Sequence, residues 1–479
     1  MSRLAPAFAL LLALAPVSAT AAQDGSGQQS LQQRVEARLR EAGPGTRFGL
    51  VVATDDGREI VAIAPDARFI PASNTKMFTT AAAFATLSGL DRPDTAGGAS
   101  VRLETASGRA PDVVLEGHGD ARLSSAAGCA VNCLATLADA VAARTRLVRD
   151  VIGDDSFFPD QRWSPGMSWN NIGTRSGTAA SALSLDDNEL HLRVSPTAPG
   201  RPPALDMLPY YVIDNRAVTS AAGATDLAFD RLPGSNVLRL TGTIAIGAEP
   251  ELLRLGIDDP AHFAAWRFRA LLEARGVRVT GAVAARHRPP GQAAAAARPE
   301  PLARLAAPPL AEDLVTINKA SQNLHAELML RRLGRQAGTG SMADGLAVVR
   351  AMLERAGLRR ADYDFSDGSG MSTYNRLTPR GVVRFLRWAG AQPWGAAWRA
   401  TLAVGGVDGT LARRFRGTAL ESRLFAKTGG LNATTALSGY LTARSGRTLH
   451  FSFYANDIPD GAAATPAMDA ALLLIAEQN

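Results

Sequence analysis

The chain has 479 residues, 46% hydrophobic and 20% charged, which is ordinary for a soluble globular protein and leaves room for two or three domains with full cores. Net charge is +6 and the pI about 9.7. The arginines are scattered rather than run together, which argues against a nucleic acid partner and leaves an anionic cell-wall polymer open.

Residues 1–22 read as a secretory signal, with Arg3 as the basic region, an apolar stretch over 4–17 and a small-x-small cleavage site at Ala19-Thr20-Ala21. Pro6 and Pro16 interrupt the stretch, and it is short for a bilayer span. With no second candidate span, the mature chain is expected to be exported, periplasmic or otherwise extracytoplasmic, without a transmembrane anchor. Helical periodicity follows over 31–42, then two strands over 47–54 and 59–64 joined by Asp55-Asp56-Gly57. Pro71 opens a helix with Ser73 in its first turn and an apolar run over 78–87.

From about Gly97 the texture changes to short strands, over 101–105, 113–117, 188–194, 237–246 and 277–284, with helices over 134–144 and 261–275. Cys129 and Cys133 fall here. In an oxidising compartment they are expected to form a small-loop disulfide, two free thiols on one helical face being the rival reading. Two cysteines make no zinc site, and the six histidines (118, 191, 262, 287, 325, 450) show no ligand spacing, so no metal is expected. An Ala/Pro-rich segment, 288–309, reads as a linker. Helices return over 314–333, 342–356 and 379–390, followed by strands over 436–443 and 448–455 and a terminal helix over 464–477. The layout predicts an α/β, multi-domain chain: one domain built from 23–96 and 301–479, split by a mostly β region over 97–300 that holds two nested domains.

Only three of the 51 basic residues are lysine, Lys76, Lys319 and Lys427, and each lies in a Ser/Thr/Asn/Gly cluster. Arginine cannot give up its proton at working pH, whereas a buried ammonium can. In Ser73-x-x-Lys76, helical i,i+3 spacing puts hydroxyl and amine on one face. Burial and the positive helix N-terminus both favour a neutral amine, which can take the serine proton. Ser321-x-Asn323 offers a hydroxyl to relay a proton and an amide to hold a substrate. Lys427-Thr428-Gly429 enters a strand, where the lysine supplies positive charge and the glycine lets a substrate backbone lie close. The N–H of Gly430 can pair with that of Ser73 as an oxyanion hole. Taken singly, these motifs are ordinary caps and turns; in this order, they point to a serine nucleophile activated by lysine.

Ser-x-x-Lys, Ser-x-Asn and Lys-Thr-Gly are the motifs of penicillin-binding proteins and class A β-lactamases. The chain resembles the D-alanyl-D-alanine carboxypeptidase/endopeptidase family, the class C low-molecular-mass penicillin-binding proteins, over essentially its whole mature length. The most specific mark is the gap of about 245 residues between the first two motifs, which in that family houses two inserted domains. Glu116 to Asp120, Asp367-Gly368-Ser369-Gly370-Met371-Ser372, Gly406 to Leu411 and Ser438-Gly439-Tyr440 also match.

The resemblance implies a β-lactamase/transpeptidase-like domain with a central antiparallel sheet flanked by helices. Ser73 would attack the carbonyl between two D-alanines, Lys76 accept its proton, Ser321 pass a proton to the leaving amine, Asn323 hold the substrate amide, and Lys427 support Ser321 and the substrate carboxylate. Thr428, Gly429, Gly430, Ser369 and Met371 would line the substrate and oxyanion site. Peptidoglycan stem peptides are the implied partner, β-lactams the implied inhibitors, and no cofactor enters.

Three positions depart from the family: Gly430 stands for Thr or Ser, Thr373 for Arg, and Asn170-Asn171 follow Trp169 where an acid is usual. The first removes a carboxylate anchor; the others weaken side-chain recognition of diaminopimelate. A β-lactamase or esterase with the same acylation, and a peptidoglycan-binding protein without turnover, are the alternatives. The long insert and the missing deacylation Glu count against the first of these.

Overall fold

The computed structural model describes residues 29–105, 107–293 and 300–479; the expected signal at 1–22 lies outside them. A capping box between Ser30 and Gln33 starts helix α1, Leu31–Arg40. The chain then enters a six-stranded antiparallel sheet. Its order is Ala403–Val404, Leu424–Leu431, Thr434–Thr442, Thr448–Asn456, Arg47–Thr54, Glu59–Ile63. Strands from the two ends of the chain therefore lie side by side, in register from Arg47↔Asn456 to Thr54↔Leu449.

Both faces of this sheet are covered, so Leu50-Val51-Val52-Ala53 is apolar at every position. Leu50 and Val52 pack with Val35 and Leu39 of α1 on one face, and Val51 and Ala53 meet Val383 on the other. After the second strand comes a 3-10 turn, Ala72–Thr75, and only then helix α2, Lys76–Thr86. Pro71 thus precedes the tighter turn instead of opening the α-helix directly. All side chains from Lys76 to Ala83 are buried, and the polar ones among them, Lys76, Thr79 and Thr80, are hydrogen-bonded.

The stretch expected as mostly β carries α3, Leu134–Arg144, and α4, Pro260–Glu273. They pack on a mixed five-stranded sheet ordered Val283–Arg288, Val151–Pro159, Asp112–Glu116, Ser100–Glu104, Ala303–Arg304. Smaller sheets hold Glu189–Ser195 with Ala204–Asp206 and Glu251–Gly256, and Val237–Ala245 with three short strands. The single strand expected over 277–284 is two, Arg278–Val279 and Val283–Arg288. Gly281 lies between them, tight against Asp150, whose Oδ1 would be 1.9 Å from any Cβ there. The linker expected over 288–309 is in part sheet: Ala303–Arg304 pairs with Ser100 and Val101, while 294–299 lie outside the described residues. Cys129 and Cys133 are joined as a disulfide, Cα atoms 5.7 Å apart, at the start of α3.

The helix expected over 314–333 is also two, α5, Leu310–Lys319, and α6, Asn323–Ala337. Ser321 separates them at φ +60°, a left-handed conformation that ends an α-helix. Lys319-Ala320-Ser321-Gln322 contains neither Gly nor Pro, so nothing in the pattern marks the break. Helices α7, Met342–Arg355, α8, Pro379–Gly390, and α9, Gly395–Ala400, follow, and α10, Ala464–Gln478, covers the sheet beside α1. No helix of the described residues is long and apolar enough to cross a membrane.

Trp398 of α9 is fully buried among Phe385, Trp394 and Tyr440. Its Nε1 donates to Thr80 Oγ1 at 3.0 Å, and Asn318 Nδ2 of α5 donates to the same oxygen at 3.0 Å. Thr80 in turn donates to the Lys76 carbonyl, so this knot joins three helices one turn below Lys76. Trp398→Ala should lower unfolding free energy by about 3–5 kcal/mol, read from denaturant midpoints at unchanged m-value.

Candidate active site

Two close backbone contacts shape the Ser73 turn. Ala72 sits at φ +46°. A Cβ on Gly370 would lie 1.9 Å from the Ala72 carbonyl oxygen, and one on Gly429 would lie 2.7 Å from that of Pro71. Asn74, fully buried, donates from Nδ2 to the Lys427 carbonyl at 2.7 Å. The turn is thus pinned between the Leu424–Leu431 strand and the 367–372 segment.

Lys76 Nζ reaches Ser73 Oγ at 2.9 Å, Asn323 Oδ1 at 2.6 Å and the Ser369 carbonyl at 2.6 Å. Lys427 Nζ reaches Ser321 Oγ at 2.9 Å and the Thr428 carbonyl at 3.0 Å. Five residues from three distant stretches, Ser73, Lys76, Ser321, Asn323 and Lys427, therefore form two serine–lysine pairs, with Asn323 bonded to Lys76 of the first. Asn323 also donates to the Ser176 carbonyl of the insert at 2.8 Å.

A family model described as D-Ala-D-Ala carboxypeptidase 3 (S13) matches residues 31–478. The chain belongs to that family. It is an enzyme, a serine peptidase of the D-Ala-D-Ala carboxypeptidase kind. It is 35% identical over 489 aligned residues, 98% of this chain and 88% of the other, to a D-alanyl-D-alanine carboxypeptidase of Actinomadura sp. (strain R39). It is 23% identical over 322 residues, 65% of this chain and 66% of the other, to the D-alanyl-D-alanine carboxypeptidase DacB of Haemophilus influenzae. The crystal structure of penicillin binding protein 4 (dacB) from Haemophilus influenzae superposes with a TM-score of 0.77 at 20% identity, covering 93% of this chain and 98% of that one. This last likeness establishes the penicillin-binding transpeptidase fold.

The electrostatics of this S13 site follow from burial. Lys76 is inaccessible to solvent, and desolvation lowers its pKa to about 7 although Asp367 and Glu327 pull it upward. Lys427 is equally buried; desolvation, and then the charge of Lys76, push it well below the usual lysine value. Burial and the neighbouring Glu327 push Asp367 up. Asp367 accepts from the N–H groups of Gly370 at 2.9 Å and Ser372 at 2.6 Å and from Asn375 Nδ2 at 2.7 Å. Glu327 accepts from the N–H groups of Gly368 and Ser369 and pairs with Arg331. The two carboxylates thus fold the 367–372 segment so that the Ser369 carbonyl meets Lys76.

The edge of the Leu424–Leu431 strand lies open beyond Ala426, where pairing with Ala403–Val404 ends. Leu424 accepts from Gly405 N–H on that side, and Arg423 accepts from Thr442 N–H on the other. Alternation therefore aims the backbone groups of Thr428 and Gly430 along the open edge. Thr428 Oγ1 donates to Thr410 Oγ1 at 2.7 Å. A Cβ on Gly430 would meet nothing within 4 Å.

Other expected residues stand differently. Lys319 is apart from the two serine–lysine pairs and forms an ion pair with Asp408. Ser369 is fully buried, its hydroxyl 3.4 Å from Met371 N–H, so it meets Lys76 from below through its carbonyl. Met371 lines a small hollow with Trp163, Met167, Ser176 and Asn323. Thr373, where the resemblance implied Arg, donates to the Gly166 carbonyl and helps stitch the insert to this segment. Glu327, Asn74 and Ser176 went unread. Glu327 had a usable signal, lying one helical turn after Asn323 on the same face; the other two are visible only in three dimensions.

Acylation of Ser73 should rise as pH climbs through about 7, because the amine must be neutral to accept a proton. Lys76→Arg should lower the acylation rate by about 10²–10⁴-fold with an unchanged circular dichroism spectrum; burst kinetics with a chromogenic β-lactam measures both.

Proposed function

We propose that this chain is an exported serine DD-peptidase acting on peptidoglycan stem peptides, with residues 23–96 and 301–479 as the catalytic unit and 97–300 shaping the cleft. The observation that carries the reading is the contact of Ser73 Oγ, which is partly exposed, with the buried Lys76 Nζ, 2.9 Å, beside a second serine–lysine pair. Neutral Lys76 takes the Ser73 proton as Oγ attacks the carbonyl carbon between two D-alanines. The N–H groups of Ser73 and Gly430 receive the oxyanion. The C–N bond breaks as Ser321, backed by Lys427, relays to the leaving amine the proton that Lys76 took from Ser73, which returns Lys76 to its neutral form. Water then cleaves the Ser73 ester and restores the hydroxyl. Asn323 and Thr428 hold the peptide along the open strand edge, Gly429 lets that strand lie close against the Ser73 turn, and Met371 meets the peptide at the hollow. The same acylation by a β-lactam leaves a slow adduct. Export rests on the reading of residues 1–22 and agrees with the Cys129–Cys133 bridge. Cleavage of D-Ala-diaminopimelate cross-links uses the same chemistry on a longer leaving group.

Fluorescent penicillin should label the wild-type chain stably and leave Ser73→Ala unlabelled. Rapid β-lactam turnover would point to a β-lactamase instead, and no labelling of folded protein to a binding protein. Muropeptide product analysis then separates loss of terminal D-alanine from cross-link cutting. Gly430→Thr places a hydroxyl in open space at the strand edge. It should raise kcat/KM several-fold on peptides ending in a free carboxylate, about the worth of one charge-assisted hydrogen bond, and leave cross-linked substrates little changed.

A further inference from the structure

His325 stands two residues after Asn323 on α6, is 5% exposed, and plays no part in the chemistry above. Its Nδ1 lies 3.1 Å from Asp313 Oδ1 of α5, and its Nε2 lies 2.9 Å from Asp187 Oδ1 of the insert. Carboxylates only accept, so a ring facing one at each nitrogen satisfies both only as an imidazolium. The ring therefore bridges three pieces of chain: the helix before the Ser321 break, the helix after it, and the insert.

The insert side of the bridge is rigid. Asp186, Asp187 and Asn188 are left-handed in succession, at φ +50°, +57° and +50°, a conformation that persists only where surrounding bonds enforce it. Asn188 Nδ2 donates to the Ala179 carbonyl and its Oδ1 accepts from Leu185 N–H, while Asp186 accepts from Ser124 and Ser125. Asp187 also takes a hydrogen bond from Gln322, the residue that caps α6. The surrounding charges are Arg122, which faces Asp313 and pairs with Glu312, Asp120 near Asp313, and Arg254 near Asp187.

We propose that His325 is a positioning residue: its imidazolium, clamped between Asp313 and Asp187, sets the α5–α6 break and so aims Ser321 and Asn323 at the two lysines. The inference rests on the DD-peptidase reading of those residues. Burial alone would lower the histidine, but the hydrogen bonds to Asp187 and Asp313 outweigh it and raise the pKa from 6.5 to about 9. A raised folded-state value gives stability that is fully present below the unfolded histidine value and is lost as pH rises through about 9. The clamp, and with it the alignment of Ser321 and Asn323, opens over the same window.

The test is the second-order rate of fluorescent-penicillin labelling of the full chain from neutral to alkaline pH, for wild type, Asp187→Asn and His325→Gln. Wild-type labelling should fall near pH 9. Asp187→Asn should move that fall toward the ordinary histidine range and slow neutral-pH labelling about tenfold, leaving the rise near pH 7 in place. His325→Gln, which never carries the charge, should label slowly throughout with no alkaline fall. If Asp187→Asn does not fold, Asp313→Asn removes the other carboxylate and should behave alike. Folded variants that keep the wild-type rate and alkaline fall overturn the inference while leaving the DD-peptidase reading intact. A wild-type chain that takes no label overturns that reading, and this inference with it.

Discussion

Removal of two amines from water governs this site. An ammonium in contact with solvent stays protonated at neutral pH and cannot serve a hydroxyl as base. Lys76 and Lys427 are both fully buried, and the charge of Lys76 adds to burial in lowering Lys427's preference for charge. The fold contributes a polar nest that makes such burial tolerable. Lys76 gains a hydroxyl, an amide oxygen and a carbonyl; Lys427 gains a hydroxyl and a carbonyl. Asp367 and Glu327, held in place by N–H groups and Arg331, pull the Lys76 value part of the way back up, to about 7.

The rest of the architecture serves to hold that nest. The Leu424–Leu431 strand carries Lys427 with its backbone edge exposed, while its other edge is locked by eight register pairs to Thr434–Thr442. Helix α2, buried from Lys76 to Ala83, carries Lys76 into the core and anchors the 3-10 turn that holds Ser73. The α5–α6 break turns Ser321 and Asn323 inward from the third direction. The insert closes the arrangement through Ser176, Asp187 and the Gly166–Thr373 stitch, so it is part of the site's frame as well as an appendage.

Much of this was legible in the sequence, for identifiable reasons. Scarcity of lysine marked Lys76 and Lys427 against an arginine background, and helical spacing put Ser73 beside Lys76. Amphipathic or uniformly apolar runs located α1, α3, α8 and α10 within a few residues. The failures share a cause: the deciding contact is distant. Ser321 is left-handed because both helices beside it are anchored elsewhere, so 314–333 read as one helix. Val151–Pro159 is central to its sheet, yet Gly153 and Asp154-Asp155 disguise it; the glycine is needed because a Cβ would lie 2.0 Å from the Ala261 carbonyl oxygen. Lys319 shared the composition of a reactive lysine and turned out to be a partner of Asp408.

The lateral union of Arg47–Thr54 with Thr448–Asn456 carries a temporal implication. These strands are about 400 residues apart in the chain, and contacts of such separation carry a large loop-closure cost and form slowly. The first strand stays without that neighbour until the last sheet segment has been synthesised. A nascent or truncated polypeptide ending before residue 456 therefore leaves one edge of Arg47–Thr54 unpaired and lacks Asn456, whose side chain bonds the backbone of Ile70 just ahead of the Ser73 turn.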